Sequence, residues 1–283
     1  MLSLTFAVGE LPPTAARGRL VHEWSDETGE VYARAYAGSD LRWIDWSGLA
    51  VFAFSRELTT VRAWPAAGAD RRLVRETFTR TLQPIVMQAI GWQALHASAI
   101  VVAAGVVALC GRSGSGKSTI AYTLGQRFEQ WADDGVIIRR SGDGVVARRV
   151  PFTPRLRQES RVLLGARPPL SSTPDDVGRE LPLVSVAVLK QVPELGATMQ
   201  SRSLSSSEAF QTLVTHAHCF NPLDADEARR FAEDYLAIAG AVPVVELSYR
   251  PGLTNLAAVT AAVLQSMPGH ERQVERASTL TRG

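Results

Sequence analysis

The chain has 283 residues, of which 46% are hydrophobic and 20% charged, and its formal net charge is +2. A chain of this length and composition can bury a sizeable core, so we predict a globular protein with one large domain or two small ones. Because the charge is nearly balanced, composition gives no argument for nucleic acid or a membrane surface as the main partner.

The expected compartment follows from cysteine usage and from the N-terminal sequence. Cys110 and Cys219 lie far apart, outside any CxxC or Cys/His spacing that indicates a zinc site or a disulfide framework. The N-terminus has no basic segment followed by a long apolar core, and the most apolar run, Ala97–Cys110, is short for a bilayer and contains Gly105. We therefore expect a soluble, cytoplasmic protein.

Residues 1–90 are predicted to form a β-rich N-terminal region that helps to recognise a substrate. Its β-like runs, separated by turn residues, are Leu2–Val8, Arg19–Trp24, Val31–Tyr36, Leu49–Ser55 and Leu58–Trp64. From Arg71 to Ile90 apolar residues recur with helical spacing, and Pro84 predicts a kink or break there. Trp43 and Trp46 are either core residues or part of a partner-binding face.

Residues 91–267 are predicted to form a nucleotide-binding domain, followed by a disordered tail at 268–283. The predicted strands are Ala94–Val102, Val106–Cys110, Val136–Arg140, Val145–Val150, Leu183–Leu189 and Val242–Tyr249. The predicted helices are Ser118–Phe128, Ser207–His216, Asp224–Ala239 with Asp224 as N-cap, and Leu253–Met267. Ser141–Gly144 predicts a hairpin turn, and Pro151–Asp176 is the best candidate for a mobile loop.

The segment Gly111–Thr119 satisfies the Walker A pattern GxxxxGK[ST], between a predicted strand and a predicted helix. In such a loop, glycines let successive N–H groups face one point, and the helix adds its positive N-terminal dipole. The predicted phosphate-binding residues are Gly111, Ser113, Gly114, Ser115, Gly116, Lys117, Ser118 and Thr119. Lys117 is expected to reach the β- and γ-phosphates and the Ser118 hydroxyl to ligate Mg²⁺, so the predicted cofactors are ATP, or another nucleoside triphosphate, and Mg²⁺.

The acidic pair Asp133-Asp134 follows the polar residues Glu129-Gln130 and precedes the predicted strand Val136–Ile138. We therefore predict that the pair lies at the beginning of a strand, next to a hairpin. Most P-loop ATPases and GTPases instead place a magnesium-binding aspartate at the end of a hydrophobic strand, so those classes are disfavoured.

Three elements together resemble HPr kinase/phosphorylase and its HPr-kinase-like relatives, which share their nucleotide site with phosphoenolpyruvate carboxykinase. They are His96 in Leu95–Ala99, the loop Gly111–Thr119 one hairpin later, and the acidic pair in Ala132–Val136. Their order and spacing match the family over roughly a fifth of the chain. The resemblance implies an α/β (α+β) fold, with a P-loop kinase core of the HPr kinase type behind the β-rich region.

The resemblance also implies transfer of a phosphoryl group from the nucleotide to a seryl hydroxyl of a peptide or small protein. Asp133 is then the catalytic base, and Asp134 holds the metal together with Ser118. His96 orients the base carboxylate or tunes its pKa, and Lys117 acts on the phosphates. HPr kinases form oligomers, which makes a homo-oligomer an expectation that the residues themselves do not test.

The chain departs from the HPr kinases at Ala97, where they carry a glycine, and at Thr119, where they carry an acidic residue. It also lacks the later signature associated with the reverse, phosphorolytic reaction. The expected acceptor is therefore another protein or peptide, as for shorter relatives that accompany peptide-biosynthesis genes, and not HPr. Two alternatives stay open: a nucleotide-binding regulatory or scaffold protein without transfer activity, and a kinase of a small molecule.

Two further groups of residues have competing interpretations. Seven arginines follow the acidic pair: Arg139, Arg140, Arg148, Arg149, Arg155, Arg157 and Arg161. They either clamp phosphate or an acidic substrate or form a solvated hairpin face. His216, His218 and Cys219 lack an apparent fourth metal ligand, which favours helix-end histidines beside a buried cysteine.

Overall fold

The computed structural model describes residues 2–55, 60–152, 162, 176–196, 199–218 and 225–266. The chain divides into two compact units, residues 1–92 with 218–231 and residues 93–217 with those from 232 onwards. Helices and strands are mixed, in agreement with the predicted α/β class. Arg155, Arg157, Arg161, Cys219, Asp224, the tail at 268–283 and most of Pro151–Asp176 lie outside the described residues.

The first unit contains a six-stranded sheet. Its strands are β1 (Ser3–Phe6), β2 (Arg19–Ser25), β3 (Val31–Ala37), β4 (Arg42–Trp46), β5 (Ala50–Phe54) and β6 (Thr60–Pro65). They lie in the order β1-β6-β5-β4-β3-β2, with β1 parallel to β6 and every other pair antiparallel. β4 was not predicted from the sequence, because Arg42 and Asp45 obscure its alternation.

One face of this sheet packs against a helical segment made of α1 (Arg71–Thr77), a π-helical turn (Phe78–Leu82) and α2 (Gln83–Ala89). The helical segment does not break at Pro84: the proline directly follows the π-helical turn, and the helix continues through it into α2. Trp46 packs against this core, and Trp43 is buried against Trp64 on the opposite face. Both tryptophans therefore pack within the unit.

The second unit contains a nine-stranded sheet. Its strands are β7 (Gln93–Leu95), β8 (Ala97–Val102), β9 (Gly105–Gly111), β10 (Glu129–Ala132), β11 (Val136–Ser141), β12 (Gly144–Arg148), β13 (Glu180–Gln191), β14 (Met199–Ser203) and β15 (Val244–Tyr249). Their order is β10-β8-β9-β13-β12-β11-β7, and β15 pairs with both β13 and β14. The predicted hairpin at Ser141–Gly144 is confirmed. The predicted strand Ala94–Val102 is instead two strands that break at His96, because β7 pairs with β11 while β8 pairs with β9 and β10.

The helices that follow β9 in the described residues are α3 (Lys117–Leu124), α4 (Ser206–Thr215), α5 (Ala225–Ala241) and α6 (Leu256–Gln265), with a 3₁₀ turn at Leu253–Asn255. The first residues of α5, up to Phe231, belong to the first unit. A capping box between Ser205 and Glu208 starts α4, while α3 ends at Gly125, earlier than predicted. α3 and α6 pack on a core of β8, β9, β13 and β15. None of the helices in the described residues combines the length and apolar character needed to cross a bilayer.

Strand direction brings several chain segments to one edge of this sheet. β8 is antiparallel to both β9 and β10, so β9 and β10 run the same way, and β13 and β15 are parallel to β9. The carboxyl ends of these four strands therefore meet at one edge, together with the first residues of β8. In sheets with parallel strands this edge is where ligands bind.

Candidate functional site

The glycine-rich loop connects the buried strand β9 to α3 at this edge. Gly116, with a φ of 88°, precedes the first residue of the helix, and Gly111, with a φ of 150°, closes the strand. A Cβ on Gly111 would lie 2.4 Å from the Ser115 Oγ and 2.7 Å from the Leu189 carbonyl oxygen. The loop therefore requires glycine at position 111 for steric as well as conformational reasons.

Lys117 folds over this loop. Its Nζ donates to the carbonyl oxygens of Gly111 and Arg112, at 2.8 and 3.3 Å. Burial lowers the pKa of Lys117, and the nearby Asp134 and Asp133 carboxylates oppose that effect. A bound phosphate at the loop would offer the ammonium group a charged partner in place of these neutral carbonyls.

Two serine hydroxyls converge on one oxygen of Asp133. Ser118 Oγ donates to Asp133 Oδ1 at 2.8 Å, and Ser98 Oγ donates to the same atom at 2.7 Å. Ser98 is fully buried at the start of β8, and Asp133 is only 9% exposed. Both hydroxyls are oriented by the carboxylate, which is held in one position beneath the loop.

The acidic pair precedes β11 and its hairpin with β12, as predicted, but it also follows a strand that was not predicted. Asp133 directly follows β10 (Glu129–Ala132), a strand that the sequence analysis interpreted as a polar stretch. Gln130 and Trp131 are fully buried, and Glu129 pairs with the buried Arg149 at 2.7 Å. β10 has no hydrophobic signature because it begins with Glu129, which is paired with a distant arginine, and Gln130. An aspartate follows it, the position that such a residue has in P-loop ATPases and GTPases.

Asp134 differs from its neighbour in backbone and exposure. Its φ of 70° makes it the only non-glycine residue with a positive φ in the described part of the chain, and its side chain is 57% exposed. Asp134 Oδ1 lies 3.4 Å from His96 Nδ1. His96 occupies the break between β7 and β8, where its backbone N–H donates to the His216 carbonyl oxygen at 2.7 Å.

His216, at the end of α4, also lies near the loop. Burial lowers its pKa, and the positive charges of Lys117 and Arg112 lower it further. Among the described residues no group of three or more His, Cys, Asp or Glu side chains is placed to hold a metal ion. His216 and His218 therefore do not form such a group within that part of the chain, and Cys219 lies outside it.

The residues at this edge fit a nucleotide with Mg²⁺. The Ser115 hydroxyl is buried beside the loop and has no hydrogen-bond partner among the described residues. Ser118 and Asp133 supply hydroxyl and carboxylate oxygens, which Mg²⁺ prefers, and phosphate oxygens complete its shell in nucleotide sites. The remaining predicted residues, Ser113 and Thr119, lie on the exposed turn of the loop and in the first turn of α3.

The comparison with solved structures finds a weak structural similarity. The structure titled Hpr(Ser) kinase/phosphatase from Coxiella burnetii is similar to this chain at 13% sequence identity and a TM-score of 0.35, over 65% of this chain and 99% of that chain. No family model and no curated protein matches the chain.

The sequence analysis missed three residues at this edge: Ser98, Gln191 and Tyr249. The Tyr249 hydroxyl donates to the Ser115 carbonyl oxygen, and Gln191 Nε2 donates to the Gly114 carbonyl oxygen at 3.3 Å. Gln191 and Tyr249 could have been singled out from the sequence, since each is the last residue of a strand parallel to β9. Ser98 was harder to single out, because its only distinguishing feature in the sequence is a hydroxyl within an otherwise apolar strand.

Several arginines after the acidic pair are engaged with glutamates. Arg139 and Arg148 both pair with Glu180, at 3.0 and 2.8 Å. The buried Arg149 pairs with Glu129 and stacks on Trp131. These contacts support a structural role for the three arginines.

Proposed function

We propose that this chain is a magnesium-dependent kinase that transfers the γ-phosphoryl group of ATP, or of another nucleoside triphosphate, to a seryl hydroxyl of a peptide or small protein. One observation carries the proposal. Beside the glycine-rich loop, one carboxylate is buried against the Ser118 hydroxyl, and the next carboxylate is turned towards solvent next to His96. This pairing supplies a metal-side acid and an accessible base at a phosphate-binding loop.

The contacts favour assigning Asp133 to the metal and Asp134 to the base, the reverse of the order given in the sequence analysis. Asp133 is bonded to Ser118, the loop hydroxyl that ligates Mg²⁺ in P-loop proteins, and it is nearly inaccessible to an acceptor. Asp134 is exposed and can meet an incoming hydroxyl. When bound, Mg²⁺ would neutralise charge on the phosphate oxygens.

In the proposed reaction the acceptor oxygen forms a bond to the γ-phosphorus while the bond to the bridging oxygen breaks. Asp134 accepts the proton that the acceptor hydroxyl loses, and a nucleoside diphosphate leaves. His96 Nδ1 lies close enough to Asp134 to orient its carboxylate. Lys117 Nζ is held at the loop, where its positive charge can stabilise the negative charge on the transferred phosphoryl group.

The experiment compares wild type with Lys117→Ala, Asp133→Asn and Asp134→Asn, and with Asp143→Asn in the exposed hairpin turn as a matched control. Asparagine is the right replacement at position 134, because it tolerates the left-handed backbone there. Nucleotide affinity is measured by calorimetry with Mg²⁺ and with EDTA. Transfer is followed by intact mass on seryl peptides encoded by neighbouring genes.

We expect Asp133→Asn to lose the magnesium-dependent part of the affinity. Asp134→Asn should bind nucleotide like wild type but transfer about 10²–10⁴-fold more slowly, the usual effect of losing a general base. Full transfer by Asp134→Asn contradicts the assigned base. Nucleotide binding without turnover supports the regulatory alternative, turnover on free hydroxyl compounds alone supports the small-molecule kinase, and no binding contradicts the whole proposal.

A further inference from the structure

Two side chains from neighbouring strands donate hydrogen bonds to backbone carbonyls of the glycine-rich loop. Gln191 and Tyr249 are register partners at the ends of the parallel strands β13 and β15. Gln191 Nε2 donates to the Gly114 carbonyl oxygen at 3.3 Å, and the Tyr249 hydroxyl donates to the Ser115 carbonyl oxygen. We call these two residues the Gln191–Tyr249 clamp.

The clamp acts on consecutive peptide units of the loop. In a planar trans peptide the C=O and the following N–H point in opposite directions, so fixing one fixes the other. The hydrogen bond from Tyr249 to the Ser115 carbonyl therefore sets the direction of the Gly116 N–H. The Ser115 N–H is held separately, since it donates to the Arg112 carbonyl oxygen at 3.0 Å.

Tyr249 is buried and packs closely against Gly116 of the loop. Its side chain is 4% exposed, and a Cβ on Gly116 would lie 3.2 Å from its hydroxyl oxygen. Burial raises the pKa of Tyr249, so the hydroxyl keeps its proton and remains a donor at neutral pH. A hydrogen bond from Gln191 partly offsets that rise.

We infer that Tyr249, assisted by Gln191, is a positioning residue that presets the glycine-rich loop for polyphosphate. This inference rests on the proposed function, since it concerns the nucleotide that the loop would bind. A loop whose carbonyls are already fixed by hydrogen bonds has less conformational freedom to lose on binding. Without the tyrosine hydroxyl, the Ser115–Gly116 peptide unit is free to rotate, and part of the binding free energy goes into ordering it.

The test is Tyr249→Phe, with Tyr235→Phe as the matched control. Tyr235 is also a buried tyrosine of the same unit, and its hydroxyl donates to the Ala94 carbonyl oxygen at 3.0 Å. Each variant loses a buried hydrogen bond to a backbone carbonyl, and Tyr249→Phe also loses the one from Gln191. Both should therefore lower the urea midpoint of the free protein, Tyr249→Phe somewhat more than Tyr235→Phe. Only Tyr249→Phe should weaken binding of ATP with Mg²⁺ and of inorganic triphosphate, by about tenfold.

Calorimetry on the full chain separates the outcomes. If wild type binds nucleotide and both tyrosine variants bind it equally well, the inference is overturned, while the nucleotide binding that the proposed function requires is retained. If wild type binds neither nucleotide nor triphosphate, both are overturned. If Tyr249→Phe does not fold, Gln191→Ala replaces it, because that side chain is exposed; we expect about a threefold loss of affinity, and no loss overturns the clamp.

Discussion

The Ser118 hydroxyl donates a hydrogen bond of 2.8 Å to Asp133 Oδ1, and these two residues come from different elements that the sheet brings together. Ser118 lies in the first turn of α3, directly after the glycine-rich loop, and Asp133 follows the end of β10. The link depends on β10 running in the same direction as β9, because only then does its carboxyl end reach the loop. The orientation of one strand thus pairs the hydroxyl with the carboxylate.

Removal of the Ser98 hydroxyl should weaken the site without unfolding the protein. Ser98 donates to the same Asp133 oxygen as Ser118, so Ser98→Ala leaves the carboxylate with one fewer fixed partner. We expect the magnesium-dependent affinity for ATP to fall about tenfold, as for loss of a group that orients a metal ligand. Ser185→Ala is the control, since Ser185 is also fully buried, on β13, but bonds to the Pro243 carbonyl oxygen. Equal affinities of the two variants would contradict this role.

Substitution of Gly111 should damage both stability and binding. An alanine Cβ would lie 2.7 Å from the Leu189 backbone carbonyl, which cannot move without disturbing β13, and the φ of 150° is unfavourable for alanine. We expect Gly111→Ala to lower the free energy of unfolding by about 2–3 kcal/mol and to abolish nucleotide binding. Gly144→Ala, whose Cβ would meet only the Ser141 carbonyl oxygen at 3.9 Å, should change stability by less than about 0.5 kcal/mol. Denaturant titration of both variants measures the predicted difference in the free energy of unfolding.

The sequence was most informative where local chemistry fixes the structure. The strand before the loop, the helix after it and the hairpin at Ser141–Gly144 all follow from turn residues and apolar runs close in the chain. It failed where a polar residue is satisfied from far away. Arg42 in β4 bonds to Glu227 within the first unit, and Glu129 in β10 bonds to Arg149, so both strands lack the expected apolar pattern.

The same distinction applies to the candidate site. The Walker A pattern and the acidic pair were visible because each is a short run of adjacent residues. The sequence did not show which aspartate would hold the metal and which would act as the base, because this depends on which carboxylate contacts Ser118 and which lies next to His96. Tyr249 bonds to a residue 134 positions earlier in the chain, a relationship that no local pattern encodes.

Loss of Arg149 should destabilise the second unit far more than loss of its neighbour Arg148. Arg149 is buried, pairs with Glu129 at 2.7 Å and donates to the Gln130 carbonyl oxygen at 2.9 Å. Arg149→Met keeps much of the volume but leaves that carbonyl without its donor, so we expect a loss of about 3 kcal/mol. Arg148→Met removes a partly exposed pair with Glu180, at a cost below about 1 kcal/mol. Similar unfolding midpoints would contradict a structural role for Arg149.

The stability of the protein should fall in alkaline solution because of Cys110. Complete burial at the end of β9 raises the pKa of this thiol from 9.0 to about 12. The folded state therefore keeps a proton that the unfolded state loses, so this contribution to stability is present below pH 9 and is lost as the pH rises towards 12.

Urea unfolding of wild type and of Cys110→Ala at pH 8 and pH 10 measures this effect. Alanine lowers stability at both pH values by removing packed atoms, so only the difference between the two pH values is informative. Between them the wild type should lose about 1.4 kcal/mol more than the variant, the free energy of one pKa unit. Parallel losses would mean that the thiol ionises in the folded protein, which requires water to reach the end of β9 directly beneath the glycine-rich loop.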